Sequence, residues 1–562
     1  MGDQERSLLR EQVDGAVKAC RRSIDAVRNE GLSQIQFWII ALGIGVAAGF
    51  IALFFRKVVN WIQGGLYGAA DVRSLTAVAS ELPWFWVVII PTVGGLLTGI
   101  VLHLFTNDAR VRSVADVIEG AALNDGRVEK RAGIGSAIAS MITLSTGGST
   151  GREGPVVHMA GVVSSWVCGF IKADGITGRD LLGCAVAAGV SASFNAPIAG
   201  ALFALEVVLR HFAIHAFAPI VIASAAGTVI SRWQFGDVTE FTLPVANALR
   251  FYVELPAFLI LGLICGGVAV LLMRSIFWAD EIGTMVQSKL HMPRWLRPSV
   301  AGLLLGILAV GFPHIIGVGY STTSAALTGD LLLWEMIIFA ILKVAAVSIT
   351  MAGRMGGGVF APALMIGALT GLAFGVIATG FAPNMSGSET LYALAGMGAV
   401  AAAVLGAPIS TTLIVFELTG DWQTGLAVMV AVSMSTAFSS RFVEGSFFLT
   451  QLARRGVHLA RGSQAYLLKM FRVANVMRLP DDPQAASEEA IWEMIEEGFY
   501  IDPNATLEDA MPMFERNNPT FIPVVTLGIE GQSPTIMGAL FQVDALKEYN
   551  RALAATAAEE HS

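Results

Sequence analysis

The sequence predicts an all-α polytopic membrane protein made of two related halves of broken helices, followed by a small soluble α/β unit. Three observations predict it. Hydrophobic residues make up 54 % of the 562, and charged residues only 14 %, little more than half the share in an ordinary soluble chain, about a quarter. Long apolar segments recur from residue 36 to residue 440, and sixty glycines accompany them, as closely packed membrane helices favour. Finally, two Gly/Pro-punctuated stretches of the first half return in the second in the same order.

Residues 1–35 are polar and charged, with no apolar core near the start that a cleavable signal would need. Leu9, Val13, Cys20, Ile24 and Val27 recur at helical spacing between charges, which predicts a cytoplasmic amphipathic helix. Apolar segments follow near 36–56, 84–105, 132–146, 155–172, 181–209, 214–231, 255–277, 298–318, 333–352, 360–382, 391–417 and 425–440. A simple crossing needs about 20 apolar residues. Several of these are shorter or broken by Gly and Pro, so they predict helices that stop partway, with free backbone groups turned to protein or water. Arginines and lysines crowd both flanks, Arg6 to Arg28 before and Arg441 to Arg472 after. The positive-inside rule then places both termini in the cytoplasm and makes the number of crossings even. The four cysteines show no paired spacing, which argues against a disulfide framework.

The repeat is legible in two places. "NAPIAGALFALE" ends at Glu206 and "GAPISTTLIVFE" at Glu417, with Pro197 and Pro408 211 positions apart. Upstream, "GREGP" ends at Pro155 and "GVFAP" at Pro362, 207 apart. The halves fall at roughly 36–231 and 255–442. Duplicated halves with broken helices are a transporter architecture whose site lies near the midplane.

In "STGGSTGREGP" the proline stands where a helix begins, a position that suits a residue without an N–H. The result is a helix N-terminus inside the membrane, with free N–H groups and a positive dipole end, which is an anion site. "GGGVFAP" repeats the device, with the N–H groups of Val359, Phe360 and Ala361 turned outward. Each stretch taken singly also reads as a Gly/Pro kink between packed helices; matching positions in two repeats favour the anion site. Glu153 competes with an anion for the same amides, so it reads as a tethered gate or as a dipole cap. His158, about one turn further on, reads as a packing histidine.

Together these motifs, with the "LARRG" at residues 452–456, resemble the CLC family of chloride channels and chloride/proton antiporters over residues 36–460. The resemblance implies two inverted-topology halves of tilted helices in each subunit of a homodimer, with separate pores. It implies transport rather than catalysis, in a cell membrane of the bacterial inner type. The gate would be Glu153, and chloride would meet Arg152, Gly154, Val359 and Phe360. Ser113, in "RSVAD", matches the family's chloride-contacting serine, although Ser113 and Asp116 also read as a capping pair. Asp116 would repel an anion unless Arg112 or another partner offsets it. Phe448 stands where the family usually has a tyrosine whose hydroxyl reaches the central anion, and Val207 where coupled members have an inner proton-relay acid. Both departures lean to a passive or weakly coupled channel; the alternative is a Cl⁻/H⁺ antiporter. Glu206 reads as a structural acid, with Glu417 its counterpart.

From about residue 473 the composition turns acidic and soluble. Residues 473–548 resemble a regulatory CBS domain, in which Asp544 would be the ribose contact if an adenine nucleotide binds; a ligand-free, dimer-stabilising unit is the other reading. The Ala/Glu-rich residues 549–562 are expected to be disordered. No metal or other cofactor and no nucleic-acid partner is expected; chloride, similar small anions and possible protons are the expected cargo.

Overall fold

A computed structural model describes residues 33–69, 75–212, 214–236, 241, 251–381, 383, 388–457, 459, 468, 471–517, 519–526 and 535–561. The N-terminal helix expected before residue 33 lies outside them. The chain divides into two compact units, residues up to 209 with 217–457, and 210–216 with the remainder from 458.

The first half of the large unit runs through α1 (Gln34–Tyr67), α2 (Leu75–Glu81), α3 (Trp84–Phe105), α4 (Val114–Leu123), α5 (Lys130–Ser145), α6 (Glu153–Ile171), α7 (Gly175–Phe194), α8 (Pro197–Phe203) and α9 (Ile214–Phe235). The second runs through α10 (Phe251–Lys289), α11 (Arg297–Gly311), α12 (Tyr320–Thr328), α13 (Leu333–Ala352), α14 (Phe360–Phe381), α15 (Glu389–Leu405), α16 (Pro408–Thr419), α17 (Trp422–Ser439) and α18 (Phe447–Ala453). Among the described residues, eight helices are long and apolar enough to cross a membrane.

Helix ends follow local chemistry. Ser33 and Gln36 exchange hydrogen bonds at the start of α1, and the Asp174 carboxylate accepts from the Thr177 N–H at the start of α7. Two long apolar segments each break into two helices. The first breaks at Asn195 (φ 58°), the second at Gly406 (φ 68°), 211 positions apart, and a proline restarts the helix after each. The left-handed turn ends one helix and proline suits the first turn of the next. Cys168, Cys184 and Cys265 are buried free thiols.

The small unit comprises α19 (Val473–Val476), α20 (Glu488–Glu496), α21 (Leu507–Asn517), β1 (Phe521–Thr526), β2 (Thr535–Phe541) and α22 (Gln542–His561). The strands pair antiparallel over a core of Leu507, Phe514, Ile522, Val524 and Leu540. The tail expected to be disordered is instead helical, since α22 continues to His561. Alanine and glutamate are strong helix formers, and a soluble composition does not by itself end a helix.

Candidate functional site

The two Gly/Pro stretches meet. The Gly151 N–H donates to the Gly358 carbonyl at 2.7 Å, and the Gly358 N–H donates to the Gly151 carbonyl at 2.8 Å, an antiparallel bridge between positions 207 apart. That is the offset of the sequence repeat. The bridge places the N-termini of α6 and α14 side by side in the protein interior, so their dipole ends converge. Gly357 takes φ 138°, and a Cβ there would lie 1.8 Å from the Thr150 Oγ1, so only glycine fits this turn.

Glu153 opens α6 and is 2 % exposed. Its Oε1 accepts a hydrogen bond from the Tyr320 hydroxyl at 3.2 Å. Its Oε2 reaches back over Gly151, where a Cβ would meet it at 2.3 Å and the Ala361 N at 3.1 Å. The carboxylate therefore lies between both helix starts. Ser113, Glu153, Gly154, Val359, Phe360 and Phe448 all line one cavity of about 10 Å³, room for about one water. The rings of Phe203 and Phe447 complete its apolar wall. Arg152 points elsewhere: its guanidinium lies 5.2 Å from the Tyr320 ring, and its Nη2 donates to the Ser193 carbonyl at 3.4 Å.

Tyr320 has no mark in the sequence, 167 residues from Glu153 and outside both motifs. It is held from behind. The buried Lys343 ammonium donates to the carbonyls of Ile315 (3.1 Å) and Gly317 (2.9 Å), and the Gly317 N–H donates to the Gly147 carbonyl at 3.0 Å. These bonds tie the turn before α12 to the loop that leads into Glu153.

Ser113 sits at the start of α4, and its N–H donates to the Asp116 carboxylate at 2.7 Å. That N–H is committed, while the residue still lines the cavity. The charge of Asp116 is offset by Arg455 at 2.9 Å and Arg112 at 3.7 Å. Beyond Ser113 a second, larger chamber of about 250 Å³ shares Ser113, Met351, Gly357 and Phe447 with the small cavity.

Comparison with known proteins fixes the family. The family profile described as voltage gated chloride channel matches residues 94–440. The chain belongs to the CLC family. A ClcB-like chloride channel protein of Ralstonia nicotianae is 31 % identical over 392 residues, 69 % of this chain and 90 % of that protein. Chloride channel protein CLC-f of Arabidopsis thaliana is 29 % identical over 500 residues, 84 % of this chain and 62 % of that protein. The fold is shared with a slow cyanobacterial Cl⁻/H⁺ antiporter (TM-score 0.67, 20 % identity, 75 % of this chain and 98 % of that one). It is also shared with a eukaryotic CLC transporter (TM-score 0.64, 18 % identity, 91 % and 98 %). This CLC protein is thus a multi-pass membrane protein of an anion-transporting family.

The two repeat acids of the CLC chain cap each other's half. Glu206 accepts from the N–H groups of Ile409 (2.9 Å) and Ser410 (2.8 Å), and from the Ser410 hydroxyl. Glu417 accepts from the N–H groups of Ile198 (3.0 Å) and Ala199 (2.8 Å). Each carboxylate thus neutralises a Pro-initiated helix start in the other repeat. Glu206→Ala leaves those N–H groups bare and is expected to destabilise the protein by about 2–4 kcal/mol. Glu206→Gln keeps an acceptor oxygen and should lose far less, as thermal unfolding in detergent will show. Val207 follows in a π-helical turn (Ala204–Leu209), buried and outside the cavity wall. His158 is buried over Gly133 and Val162, with no hydrogen bond to either ring nitrogen among the described residues.

In the small unit the Asp544 carboxylate accepts from Arg478 Nε at 2.6 Å, and this bond raises the guanidinium above its ordinary pKa. A ribose would have to displace that ion pair.

Proposed function

We propose that the protein passes chloride and similar small inorganic anions, with Glu153 as a gate and weak or absent coupling to protons. One observation carries this: the Glu153 carboxylate lies where two helix N-termini converge, the place an anion would occupy. Protonation discharges it and frees the amides at the two helix starts. Val359, Phe360 and Gly154 then line the anion's passage, and Phe448 contributes an apolar wall instead of a hydroxyl. The Tyr320 hydroxyl holds the closed carboxylate. A hydrogen bond to a charged group is worth about 1.5–3 kcal/mol, so Tyr320→Phe is expected to raise chloride flux at neutral pH by about ten- to a hundredfold. A pH profile of flux from liposomes checks this; an unchanged profile removes Tyr320 from gating.

Titration of the central site against a panel of chloride, bromide, nitrate and fluoride uptake in liposomes tests the reading as a whole. Chloride uptake indistinguishable from empty liposomes would overturn it.

A homodimer is part of the proposal. The reciprocal caps lie beside Ile198 (56 % exposed) and Ile409 (47 % exposed), so a polar seam runs along an apolar face. Charged groups facing lipid are costly, and a second copy covering that face would remove the cost. The CBS reading of the small unit is kept as a regulatory role without nucleotide, supported by the Arg478–Asp544 pair.

A further inference from the structure

We propose that the chamber walled by Arg110 and Arg354 binds a tetrahedral oxyanion of the sulfate or phosphate class, and that its occupancy blocks anion passage to Glu153. The blocking half rests on the transport reading above; the binding half does not.

The chamber of about 250 Å³ presents Arg110, Arg354, Arg454 and Arg455 against a single acid, Asp280. Three of these five charges are already satisfied. Asp280 pairs with Arg297 at 2.8 Å, Arg454 with Glu281 at 2.6 Å, and Arg455 with Asp116 at 2.9 Å. Arg110 and Arg354 have no carboxylate within ion-pair distance among the described residues. Two guanidiniums without an ion-pair partner among the described residues therefore line one half-open chamber.

Arg354 is held there by its backbone. It adopts φ 56°, a left-handed conformation that costs a non-glycine residue energy and persists only where the surroundings enforce it. Its N–H donates to the Met351 carbonyl at 3.0 Å, and its Nη1 reaches the Asp108 carbonyl only at 3.4 Å. Its Nε has no hydrogen-bond partner. Burial, followed by the like charges of Arg297 and Arg110, pulls the guanidinium down to about 10. An anion would relieve the repulsion and supply the missing acceptor.

Size and shape select the ligand. A guanidinium presents paired donors that match two oxygens of one oxyanion, so a tetrahedral oxyanion can offer separate oxygens to the two arginines. The chamber has room for several waters, whereas the cavity beyond Ser113 and Gly357, at about 10 Å³, holds about one. A tetrahedral oxyanion therefore stops in the chamber, and a monatomic ion goes on.

The test titrates sulfate, and separately inorganic phosphate, into the purified full-length protein at constant ionic strength, with binding read by calorimetry. The wild type is expected to bind saturably, and the double variant Arg110→Gln/Arg354→Gln to bind about tenfold more weakly or worse. Arg354→Lys keeps the charge without the fork and is expected to fall between them, which guards against a misfolded double variant. In liposomes, sulfate on both sides should slow chloride flux through the wild type and leave the double variant unaffected. No saturable binding by the wild type, equal affinity in the double variant, or binding that leaves wild-type flux unchanged would overturn the proposal. If no chloride flux exists at all, the transport reading fails, and the titration still decides whether the site is there.

Discussion

Glu153→Gln is expected to abolish the pH dependence of anion flux while leaving permeation intact or faster. On the proposed reading the charged carboxylate beside the two helix starts keeps anions out, and flux is expected to rise as pH falls. Glutamine keeps the size and the bond from Tyr320 but carries no charge at any pH. The ratio of flux at about pH 4.5 to flux at about pH 7.5 is expected to fall to about 1. Liposome efflux across that range measures it. A variant that retains the full wild-type pH dependence would show that some other group gates the pathway.

The second large effect concerns coupling. Stoichiometric exchange needs a proton route to Glu153 as well as an anion route. Val207 is not titratable, Phe448 has no hydroxyl, and Glu206 is engaged with the N–H groups of Ile409 and Ser410. The reversal potential is therefore expected to follow chloride alone, about 59 mV for a tenfold gradient, and to ignore an imposed pH difference. Steady uphill proton movement driven by chloride would sink this expectation. Water would then carry protons past Val207, and the antiporter alternative would hold.

How much of this could be read in the sequence depends on how local the cause is. Prolines and glycines act on their own backbone, so the starts of α6 and α14 were legible, whereas the breaks at Asn195 and Gly406 that start α8 and α16 lay hidden inside apolar segments read as continuous. The capping role of Asp116 was visible for the same reason, since Ser113 lies three residues away. Tyr320 was not legible, because its meaning comes from a hydroxyl meeting a carboxylate 167 residues distant and from Lys343 fixing the turn beneath it. The chamber was hidden likewise: Arg110 and Arg354 belong to no motif, and only the fold sets them in one wall. The helix through His561 departs from the expected disordered tail because alanine and glutamate favour helix even in a polar stretch.

The reciprocal caps set a timetable for the ribosome. Glu206 leaves the exit tunnel 211 residues ahead of Glu417 and about two hundred ahead of the amides of Ile409 and Ser410. At about 5–20 residues per second, the first repeat spends roughly 10–40 s in the membrane with the Pro197 helix start uncapped and the Glu206 carboxylate unclaimed. For that interval the newborn chain carries an unmatched acid and bare amides that only its unborn half can satisfy, and it is expected to be most vulnerable to quality-control proteases between the two repeats. A pause in translation after residue 231 would prolong that exposure, and a pause once Glu417 has left the exit tunnel would not.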